Sequence, residues 1–430
     1  MTTLGPKTTT MGFLNVTDVV KARMCIGCGA CESACSSQKL ELVDLLEHGL
    51  RPTMKTGDCG SCTDCLDVCP GLGISHAPTK PDQGLINDLT ESWGAVLEVW
   101  EGFASDVALR HGGSSGGLAS ALALYCIEAG GMQGVVHIGA DDAARYKNKS
   151  MFSRGRAQLL AATGSRYAPA SPCDHLEVIA GASAPCVFIG KPCDVQGLRK
   201  VAAIRPRIAA NLGVAIGIFC AGTPSTQGTL DLLRAHGVDP DDVAELRYRG
   251  RGWPGTFSVR LKSDPAWHDL ATYAQAWGFL QKYRPYRCHL CPDGTSEFAD
   301  ISCGDPWYRA IGDDEPGMSL VVVRTLRGRE IVRAAMRAGY VQLTPAAPGT
   351  VSASQRELQR KRGAIWGRLL TMRALGVPAP RLKGFSLFRN WLSIPARDKF
   401  RSFAGTARRV LLRGYRRRFD YASRRSDLPG

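Results

Sequence analysis

Short apolar runs alternate with longer segments of helical period between residues 90 and 345. The runs end at Gly, Pro or Ser, as buried strands commonly do. Strands are predicted at 93–100, 134–139, 186–190, 211–220, 257–261, 319–324 and 340–343. Helices are predicted after the loops at 112–117, 191–193 and 221–224, and over 328–338 and 353–375. This order of elements predicts an α/β (α+β) fold.

The preceding segment is organised by cysteines instead. It contains the spacing C-x2-C-x2-C-x3-C twice, at 25–35 and at 59–69. Three thiolates two residues apart suit one face of a 4Fe–4S cube, and the fourth cysteine of each run reaches the neighbouring cube, as in bacterial ferredoxins. We therefore expect two clusters, one held by Cys25, Cys28, Cys31 and Cys69 and the other by Cys59, Cys62, Cys65 and Cys35.

Disulfides and zinc are the alternatives for these cysteines. A lone C-x2-C suits zinc, but a triple run is poor tetrahedral spacing. Sixteen cysteines in 430 residues, with no apolar N-terminal segment, indicate metal ligation in a reducing cytosol. Ser36 stands where a proline usually follows the fourth cysteine, which weakens the assignment of Cys35.

The chain is basic, and most of the basicity lies near its C-terminus. The formal net charge is +15, and from residue 381 onward fourteen Arg or Lys oppose three Asp. Aromatic residues are interspersed with arginine in this tail, which suits an anionic membrane surface. An acidic ferredoxin or other partner and a disordered solvated tail are the alternatives. Nucleic acid is not expected, because no recognition fold accompanies the charge, and no apolar run is long enough to span a membrane.

Three loops and four further cysteines complete the candidates. A Gly/Ser loop running into a helix offers free N–H groups to a phosphate, although it is equally typical of a plain turn. Its residues are Gly112, Gly113, Ser114, Ser115 and Gly116. A second loop carries Gly164, Arg166 and Tyr167, and a basic turn carries Arg249 and Arg251. Cys193 and Cys220 follow strands, where an α/β sheet binds ligands, and Cys288 and Cys291 form a C-x2-C pair.

Six motifs carry a resemblance to a known family. They are SSGGLASAL at 114–122, GSRYAP at 164–169, GKPCDVQGLR at 190–199, GIFC at 217–220, YRGRGWPG at 248–255 and CHLCPDGTSEFADISCGD at 288–305. With these motifs in this order, the chain resembles the coenzyme F420 hydrogenase/dehydrogenase beta-subunit family, which includes a reductase of 7-hydroxymethyl chlorophyll a. The resemblance implies a mixed-sheet flavin domain that binds FAD and one further 4Fe–4S cluster.

The resemblance also assigns residues. The inner-cluster ligands would be Cys193, Cys220, Cys288 and Cys291, with Cys303 in reserve. The FAD pyrophosphate would lie at 112–117, and residues 164–167 and 249–253 would line the flavin or its phosphates. Lys191 and His111 are the candidate general acids. Lys191, Arg166, Arg249 and Arg251 would bind anionic substrate groups, unless they are solvated surface charges. Cys126, Cys173 and Cys186 are expected to be small core residues, and His137 a packed core histidine.

The predicted function is an iron–sulfur flavoprotein oxidoreductase. It would relay electrons between a one-electron donor such as ferredoxin and FAD, which exchanges two electrons with coenzyme F420 or another organic substrate. One alternative is a ferredoxin-dependent reductase of a sugar, lipid-linked or pigment intermediate that does not use F420. Another is a non-catalytic electron-transfer subunit of a larger complex. The expected location is the cytoplasm, with peripheral contact at the inner membrane face if the tail binds lipid.

Five parts are predicted along the chain. They are an irregular leader at 1–20, the two-cluster module at 21–80, the two parts of the flavin domain at 90–180 and 181–345, and a basic helical tail at 346–430.

Overall fold

The computed structural model describes residues 12–55, 59–77, 84–310, 312 and 315–421. Residues 1–11 of the predicted leader lie outside this range. The prediction of an irregular leader is wrong for its last part, where a helix occupies Val16–Lys21. Asn15 starts this helix by accepting a hydrogen bond from the N–H of Thr17 at 2.9 Å, which satisfies a backbone donor that the first helical turn leaves free.

The N-terminal module spans residues 12–77. Its elements are α1 (Val16–Lys21), α2 (Ala30–Ala34), β1 (Leu40–Leu45), β2 (Gly49–Met54), α3 (Asp64–Asp67) and β3 (Gly73–Ser75). Strands β1 and β2 form an antiparallel hairpin. Helices α2 and α3 carry the third cysteine of each run, Cys31 and Cys65. The two cysteine runs therefore repeat one local structure, in which a turn precedes a short helix.

The central domain follows the module. Its elements are α4 (Asn87–Trp93), β4 (Glu98–Ala104), α5 (Val107–Gly112), α6 (Leu118–Glu128), β5 (Val135–Ala140), β6 (Asn148–Ser153), α7 (Arg156–Ala161), α8 (Glu177–Ala180), β7 (Cys186–Gly190), α9 (Pro192–Ile204), α10 (Pro206–Asn211), β8 (Leu212–Ile218), α11 (Thr226–Ala235), β9 (Val243–Arg247), β10 (Thr256–Leu261), β11 (Trp267–Thr272), α12 (Tyr273–Leu280), β12 (Ile301–Gly304), β13 (Ser319–Val323), α13 (Leu326–Arg337) and β14 (Val341–Pro345).

Eight of these strands form one mixed sheet in the order β14-β4-β13-β12-β8-β7-β5-β6. Strands β5, β7, β8 and β12 are parallel, and the strands on either side pair with them in antiparallel fashion. This confirms the predicted α/β class and the mixed sheet. A separate three-stranded sheet, β11-β10-β9, shares an apolar cluster with α11 and α12 that includes Leu233, Tyr248 and Leu280.

The candidate site lies along the edge of the eight-stranded sheet at which several parallel strands end. Strands β7, β8 and β12 end there at Gly190, Ile218 and Gly304. Strand β13 runs in the opposite direction and begins at Ser319 on the same edge. We call this the C-terminal edge. Residues that follow β7, β8 and β12 are therefore neighbours in space although they are far apart in sequence.

The N-terminal module packs against the sheet as part of the core. On one face, Leu122 of α6 and Val332 of α13 cover Val321. On the other face, Cys28 and Ala34 of the module lie in the same buried cluster as Val195 of α9 and the strand residues around it. The module is thus joined to the central domain by apolar burial, which is non-directional and proportional to the area removed from water.

Residues 346–421 fold over both other parts. Their elements are α14 (Gly349–Ser354), α15 (Arg356–Ala374), β15 (Arg381–Lys383), α16 (Leu387–Ser393) and α17 (Ala396–Leu412). Strand β15 pairs in parallel with β3 of the module, and Ile365 and Val410 bury themselves against Leu290. The disordered-tail alternative is therefore wrong for the described part of the tail. None of the described helices is long and apolar enough to cross a bilayer.

Most predicted elements differ from the observed ones by one or two residues at an end, and two differ by more. The strand predicted at 93–100 begins only at Glu98, because Trp93 ends α4 and Gly94, at φ +73°, stops the helix. The helix predicted at 353–375 is interrupted at Gln355, whose side-chain amide donates to the carbonyl of Asp305 at 2.9 Å.

Candidate functional site

Cys25, Cys28, Cys31 and Cys69 lie together in the buried part of the module. Burial raises the pKa of Cys28, Cys31 and Cys69, and the neighbouring thiol groups of this set raise it further. Thiols of this kind do not ionise unaided, whereas a bound metal cluster makes thiolates the stable form. The structure therefore brings the first predicted ligand set together.

Cys59, Cys62 and Cys65 form a second, outer group. Cys62 is exposed, and Cys59 and Cys65 are partly buried. Burial raises the pKa of Cys65 to about 11, against the hydrogen bond from the Val16 N–H, and Cys59 and Cys62 contribute to the rise. The predicted fourth ligand, Cys35, ends α2 and accepts a hydrogen bond from the Lys39 N–H at 3.4 Å.

Cys193, Cys220, Cys288 and Cys291 meet at the C-terminal edge. Cys193 begins α9 after β7, and Cys220 follows β8. Burial, together with the neighbouring Cys288 and Cys291, raises the pKa of Cys220 to about 11. Cys193 in turn lies close enough to Cys220 for their charges to interact. The predicted convergence is thus observed, while ligation of a cluster by these residues stays a prediction.

The cysteine groups differ from sites for single metal ions. Within the described residues, no three His, Cys, Asp or Glu side chains close around one ion. A 4Fe–4S cube binds one thiolate at each of its four irons, so its ligands surround a volume and stand further apart than the ligands of one ion. All three groups consist of cysteine alone, which is the donor set that such cubes take.

The remaining cysteines are core residues, although Cys173 lies close to Cys28. Cys303 lies among apolar residues under α6, and burial alone raises its pKa to about 12. None of the inner four thiols contributes to this rise, so the structure gives no support to the reserve role of Cys303. Cys126, Cys173 and Cys186 are buried in the core, as predicted, and His137 is a packed histidine whose Nε2 lies 2.7 Å from Ser153 Oγ.

Helix α9 connects the inner cysteines to the module. A Cβ atom added to Gly197 would lie 3.3 Å from the Cys28 sulfur and 3.0 Å from Ala30 Cβ. The thiol groups of Cys28 and Cys193 interact electrostatically. Glycine at this position therefore allows α9 to approach the buried group of the module, and the approach sets the separation between the two cysteine groups.

Lys191 has a structural role that its sequence position did not reveal. Its Nζ donates to Asp194 Oδ1 at 2.6 Å and to the Ala170 carbonyl at 2.8 Å. Burial opposes its charge, but Asp194 outweighs burial and holds the pKa of Lys191 above its ordinary value. An ammonium held in this way is a poor general acid and does not reach a substrate, so the structure does not support that candidate role.

Three loops converge at the other end of the C-terminal edge. The Arg251 N–H donates to the carbonyl of His111 at 2.7 Å. A Cβ atom on Gly250 would lie 2.7 Å from the Gly112 carbonyl oxygen, and one on Gly164 would lie 3.3 Å from the Arg249 oxygen. Both glycines have positive φ, +104° and +100°, which only glycine adopts without strain. The predicted association of these loops is therefore observed.

The Gly/Ser loop presents backbone donors. Ser319 Oγ accepts from the Gly116 N–H at 2.8 Å, whereas the N–H groups of Ser114 and Ser115 have no acceptor among the described residues. Gly117 begins α6 without a side-chain cap, so the first N–H groups of this helix are also open. This arrangement fits a phosphate group, because the donors and the positive end of the helix dipole face the same place.

Arg166 and Arg249 are committed to other partners. Arg166 donates to the carbonyls of Arg145 at 2.6 Å and Leu246 at 3.2 Å. Arg249 forms two hydrogen bonds with Asp305, at 2.9 and 2.7 Å. Neither guanidinium is available to an anionic substrate, so these contacts correct the proposed substrate-binding role. Arg251 and His111 are exposed and remain candidates.

Sequence reasoning missed an aromatic group around the Arg249–Asp305 pair. Tyr273 stacks on Trp307 with ring centroids 5.4 Å apart, and the Arg249 guanidinium lies 4.5 Å from the Tyr273 ring. Tyr167 contacts Trp277 at 5.1 Å. The signal was the spacing of Tyr273 and Trp277 by one helical turn on α12.

Arg284 lies between this aromatic group and the inner cysteines. Its guanidinium is 5.8 Å from the Trp277 ring and donates to the Ala221 carbonyl at 2.8 Å. Burial lowers the pKa of Arg284, and the nearby thiols of Cys288 and Cys220 act in the opposite direction. Arg284, Trp277 and Tyr167 therefore form a continuous row from the inner cysteines to the converging loops.

Comparison with protein families agrees with this geometry. Residues 24–71 match the 4Fe–4S dicluster domain. Residues 99–177 match the N-terminal part of the beta subunit of coenzyme F420 hydrogenase/dehydrogenase, and residues 185–348 match its C-terminal part. Together the last two cover more than half of the chain. The fold and the cysteine groups define an iron–sulfur protein of the oxidoreductase class. The chain belongs to the coenzyme F420 hydrogenase/dehydrogenase beta-subunit family.

Several relatives are distant in sequence. The coenzyme F420-dependent sulfite reductase of Methanocaldococcus jannaschii is 25% identical over 67% of this chain and 48% of its own length. The coenzyme F420 hydrogenase subunit beta of Methanococcus voltae is 25% identical over 64% of this chain and 95% of its own length. The chain thus spans about half of the first relative and nearly all of the second.

A solved structure has the same fold. It belongs to the F420-reducing [NiFe] hydrogenase complex from Methanosarcina barkeri, with a TM-score of 0.51 and 22% identity. The match covers 65% of this chain and 94% of the other.

Proposed function

We propose that this protein is an iron–sulfur flavoprotein oxidoreductase with three 4Fe–4S clusters and one FAD. It relays electrons between a one-electron donor such as ferredoxin and an organic molecule that takes or gives two. The observation that carries the proposal is the meeting of four cysteines and three glycine-rich loops on one sheet edge. Cys193 and Cys220 follow β7 and β8 to this edge, and the Gly/Ser loop is joined to it where Gly116 donates to Ser319 at the start of β13.

Different residues of the chain bind the pyrophosphate, position the aromatic group and cover the inner cysteines. Loop amides at Ser114 and Ser115 and the start of α6 bind the pyrophosphate. Asp305 holds Arg249 and accepts from the Trp253 indole N–H at 2.8 Å, which fixes the aromatic group. The tail shields the inner cysteines, since Arg368 donates to the His289 carbonyl at 2.5 Å. FAD, when bound, supplies the exchange between one-electron and two-electron carriers.

The order of the cysteine groups supports a path for the electrons. Cys62 in the outer group is exposed, Cys28 in the next is buried, and Cys28 interacts with Cys193 of the inner group. The outer group is therefore the entry or exit for a protein partner, and the inner group adjoins the flavin loops through Arg284.

Metal and flavin content tests the proposal. Protein purified without oxygen is expected to carry one FAD and about twelve irons, because each of three cubes holds four. A variant with Cys193→Ser and Cys220→Ser is expected to lose about four irons and keep the rest. Four irons or fewer in the unaltered protein would contradict the three clusters, and absence of flavin would contradict the flavin site.

The organic substrate is proposed from the relatives. The names of several relatives include coenzyme F420, which favours F420 over a sugar, lipid-linked or pigment intermediate. Several of these relatives are named as subunits, which favours the electron-transfer subunit as the second candidate. Bleaching of the flavin by reduced F420 and, separately, by reduced ferredoxin distinguishes these cases; a flavin that F420 does not reduce would contradict the F420 proposal.

We place the protein in the cytoplasm, with a face that contacts anionic lipid. Phe388, Leu392, Phe400 and Leu412 are exposed on α16 and α17 beside Arg401 and other exposed arginines. Such a face suits the interface of a bilayer. A variant with Phe400→Ser and Leu412→Ser is expected to float less with phosphatidylserine vesicles; flotation equal to that of the unaltered protein would contradict lipid contact.

A further inference from the structure

The C-terminal segment 413–421 returns to the N-terminal module after α17. The Phe419 N–H donates to the Lys21 carbonyl at 2.8 Å. Tyr421 is only 7% exposed and belongs to the apolar cluster that contains Cys25, Cys31 and Cys69. This segment is therefore a part of the module's surface, although it lies almost four hundred residues from it in sequence.

Aromatic side chains hold the segment in place. The Arg23 guanidinium lies 5.1 Å from the Tyr415 ring and 4.9 Å from the Phe419 ring. The His48 ring meets Phe419 edge to face at 4.4 Å. Because these contacts direct the apolar side chains inward, none of the large apolar residues at 413–421 is exposed.

The outward side of the segment is positively charged. Arg413, Arg416, Arg417 and Arg418 are exposed, and Lys21 of α1 adjoins them. We call these five residues the basic collar. Asp18 of α1 lies 3.6 Å from Arg418 and 3.9 Å from Lys21, and Asp420 is the one carboxylate within 413–421. The collar therefore keeps a net positive charge.

The collar adjoins the outer cysteine group. Helix α1 carries both Asp18, which pairs with Arg418, and Val16, whose N–H points to the Cys65 sulfur. The exposed Cys62 belongs to the same group. A protein bound at the collar would thus place its own redox centre near the most accessible cysteines of the chain.

We propose that the basic collar is the docking site for a small acidic one-electron carrier protein. This inference rests on the proposed function and adds its partner surface. Lipid is the weaker occupant of the collar itself, because a bilayer interface favours exposed apolar side chains among the arginines, and those of 413–421 turn inward. The exposed Leu412 lies before the collar, on α17. Complementary charge steers a carrier to the outer cysteine group and raises its association rate without requiring a large buried area.

Charge reversal tests the proposal in the full-length protein purified without oxygen. The variant is Arg416→Glu with Arg417→Glu. The control, Arg401→Glu with Arg408→Glu, makes the same change of charge on exposed positions of α17. Each protein is mixed with a reduced two-cluster ferredoxin of net negative charge and, separately, with reduced methyl viologen, while cluster and flavin bleaching are followed.

The collar variant is expected to react with ferredoxin at least about tenfold more slowly at low salt, and its rate should depend less on salt, because steering is lost. The ferredoxin rate of the control should fall less than that of the collar variant. Methyl viologen should reduce both variants at least as fast as it reduces the unaltered protein. Equal ferredoxin rates for the variant and the unaltered protein would overturn the docking site. So would loss of flotation with phosphatidylserine vesicles while the ferredoxin rate is kept.

Two results separate this inference from the proposed function. An unaltered protein that viologen reduces but ferredoxin does not would overturn the docking site alone. An unaltered protein that viologen does not reduce, or that holds no clusters, would contradict the proposed function itself.

Discussion

Glu297 is a buried carboxylate that joins three parts of the molecule, and its neutralisation is predicted to loosen their association. Its side chain is 0% exposed, and Arg362 of α15 pairs with one oxygen. The other oxygen lies 2.9 Å from Nε2 of His76 in the module. Glu297 belongs to the same loop as Cys291 and the inner cysteine group. Replacement by Gln keeps the shape and removes the charge that Arg362 needs.

The magnitude follows from the pKa of this carboxyl. Burial opposes its ionisation, but Arg362 and His76 outweigh burial and lower the pKa of Glu297 from 4.5 to about 2. At about 1.36 kcal/mol per pKa unit, the ionised form contributes about 3 kcal/mol. Because the folded pKa is lowered, this stability is present above about pH 4.5 and is lost as the pH falls toward 2. This value agrees with the cost of about 3–5 kcal/mol that follows the loss of one partner of a buried ion pair.

Thermal unfolding of protein kept free of oxygen measures the effect. For 430 residues the unfolding entropy is about 0.9 kcal/mol/K, so a loss of about 3 kcal/mol lowers Tm by about 3 °C. Glu330, whose side chain is 68% exposed in a pair with Arg327, is the control, and Glu330→Gln should cost less than about 0.5 kcal/mol. The lowering of Tm by Glu297→Gln should be constant from pH 8 to pH 5. A Tm equal to that of the control would refute this reasoning.

Three further changes are expected to separate the parts of the relay. Gly197→Val should slow electron transfer from the module to the inner group without changing the iron content, because the added atoms contact Cys28. The control Gly278→Val, at a helical position with open space around it, should leave this transfer rate unchanged. Gly250→Val should release FAD with the clusters kept, since its Cβ would lie 2.7 Å from the Gly112 oxygen; bound FAD in this variant would contradict the loop site. Cys220→Ser should lower inner-cluster content, whereas Cys303→Ser should keep it, and metal analysis with electron paramagnetic resonance checks both.

The predictions from sequence that succeeded depended on periodicity and spacing. The buried strands at 186–190 and 319–324 are continuous apolar runs, and the structure has them within a residue or so. Cys193 and Cys220 were placed at one edge because parallel strands end together. The doubled cysteine run predicted that Cys69 joins Cys25, Cys28 and Cys31, and these four thiols do lie together. The place of Cys35 in the outer group stays a prediction.

The failures depended on contacts between distant segments. Nothing near Lys191 in sequence shows that Ala170 accepts from its ammonium, and nothing near Arg249 shows that Asp305, fifty-six residues away, pairs with it. The charge of the tail does not show that it packs against the rest of the protein. Its apolar residues, such as Ile365 and Val410, bury themselves against Leu290, a contact that tertiary packing alone creates.

The most direct measurement is the bleaching of FAD by a one-electron donor that enters through the module. Reduced ferredoxin or methyl viologen is mixed with the unaltered protein and with a Cys193→Ser/Cys220→Ser variant that still holds FAD. We predict that the clusters of the module are reduced in both proteins, and that the flavin bleaches promptly only in the unaltered one. Flavin bleaching at the same rate in the variant would contradict a relay through the inner cysteine group.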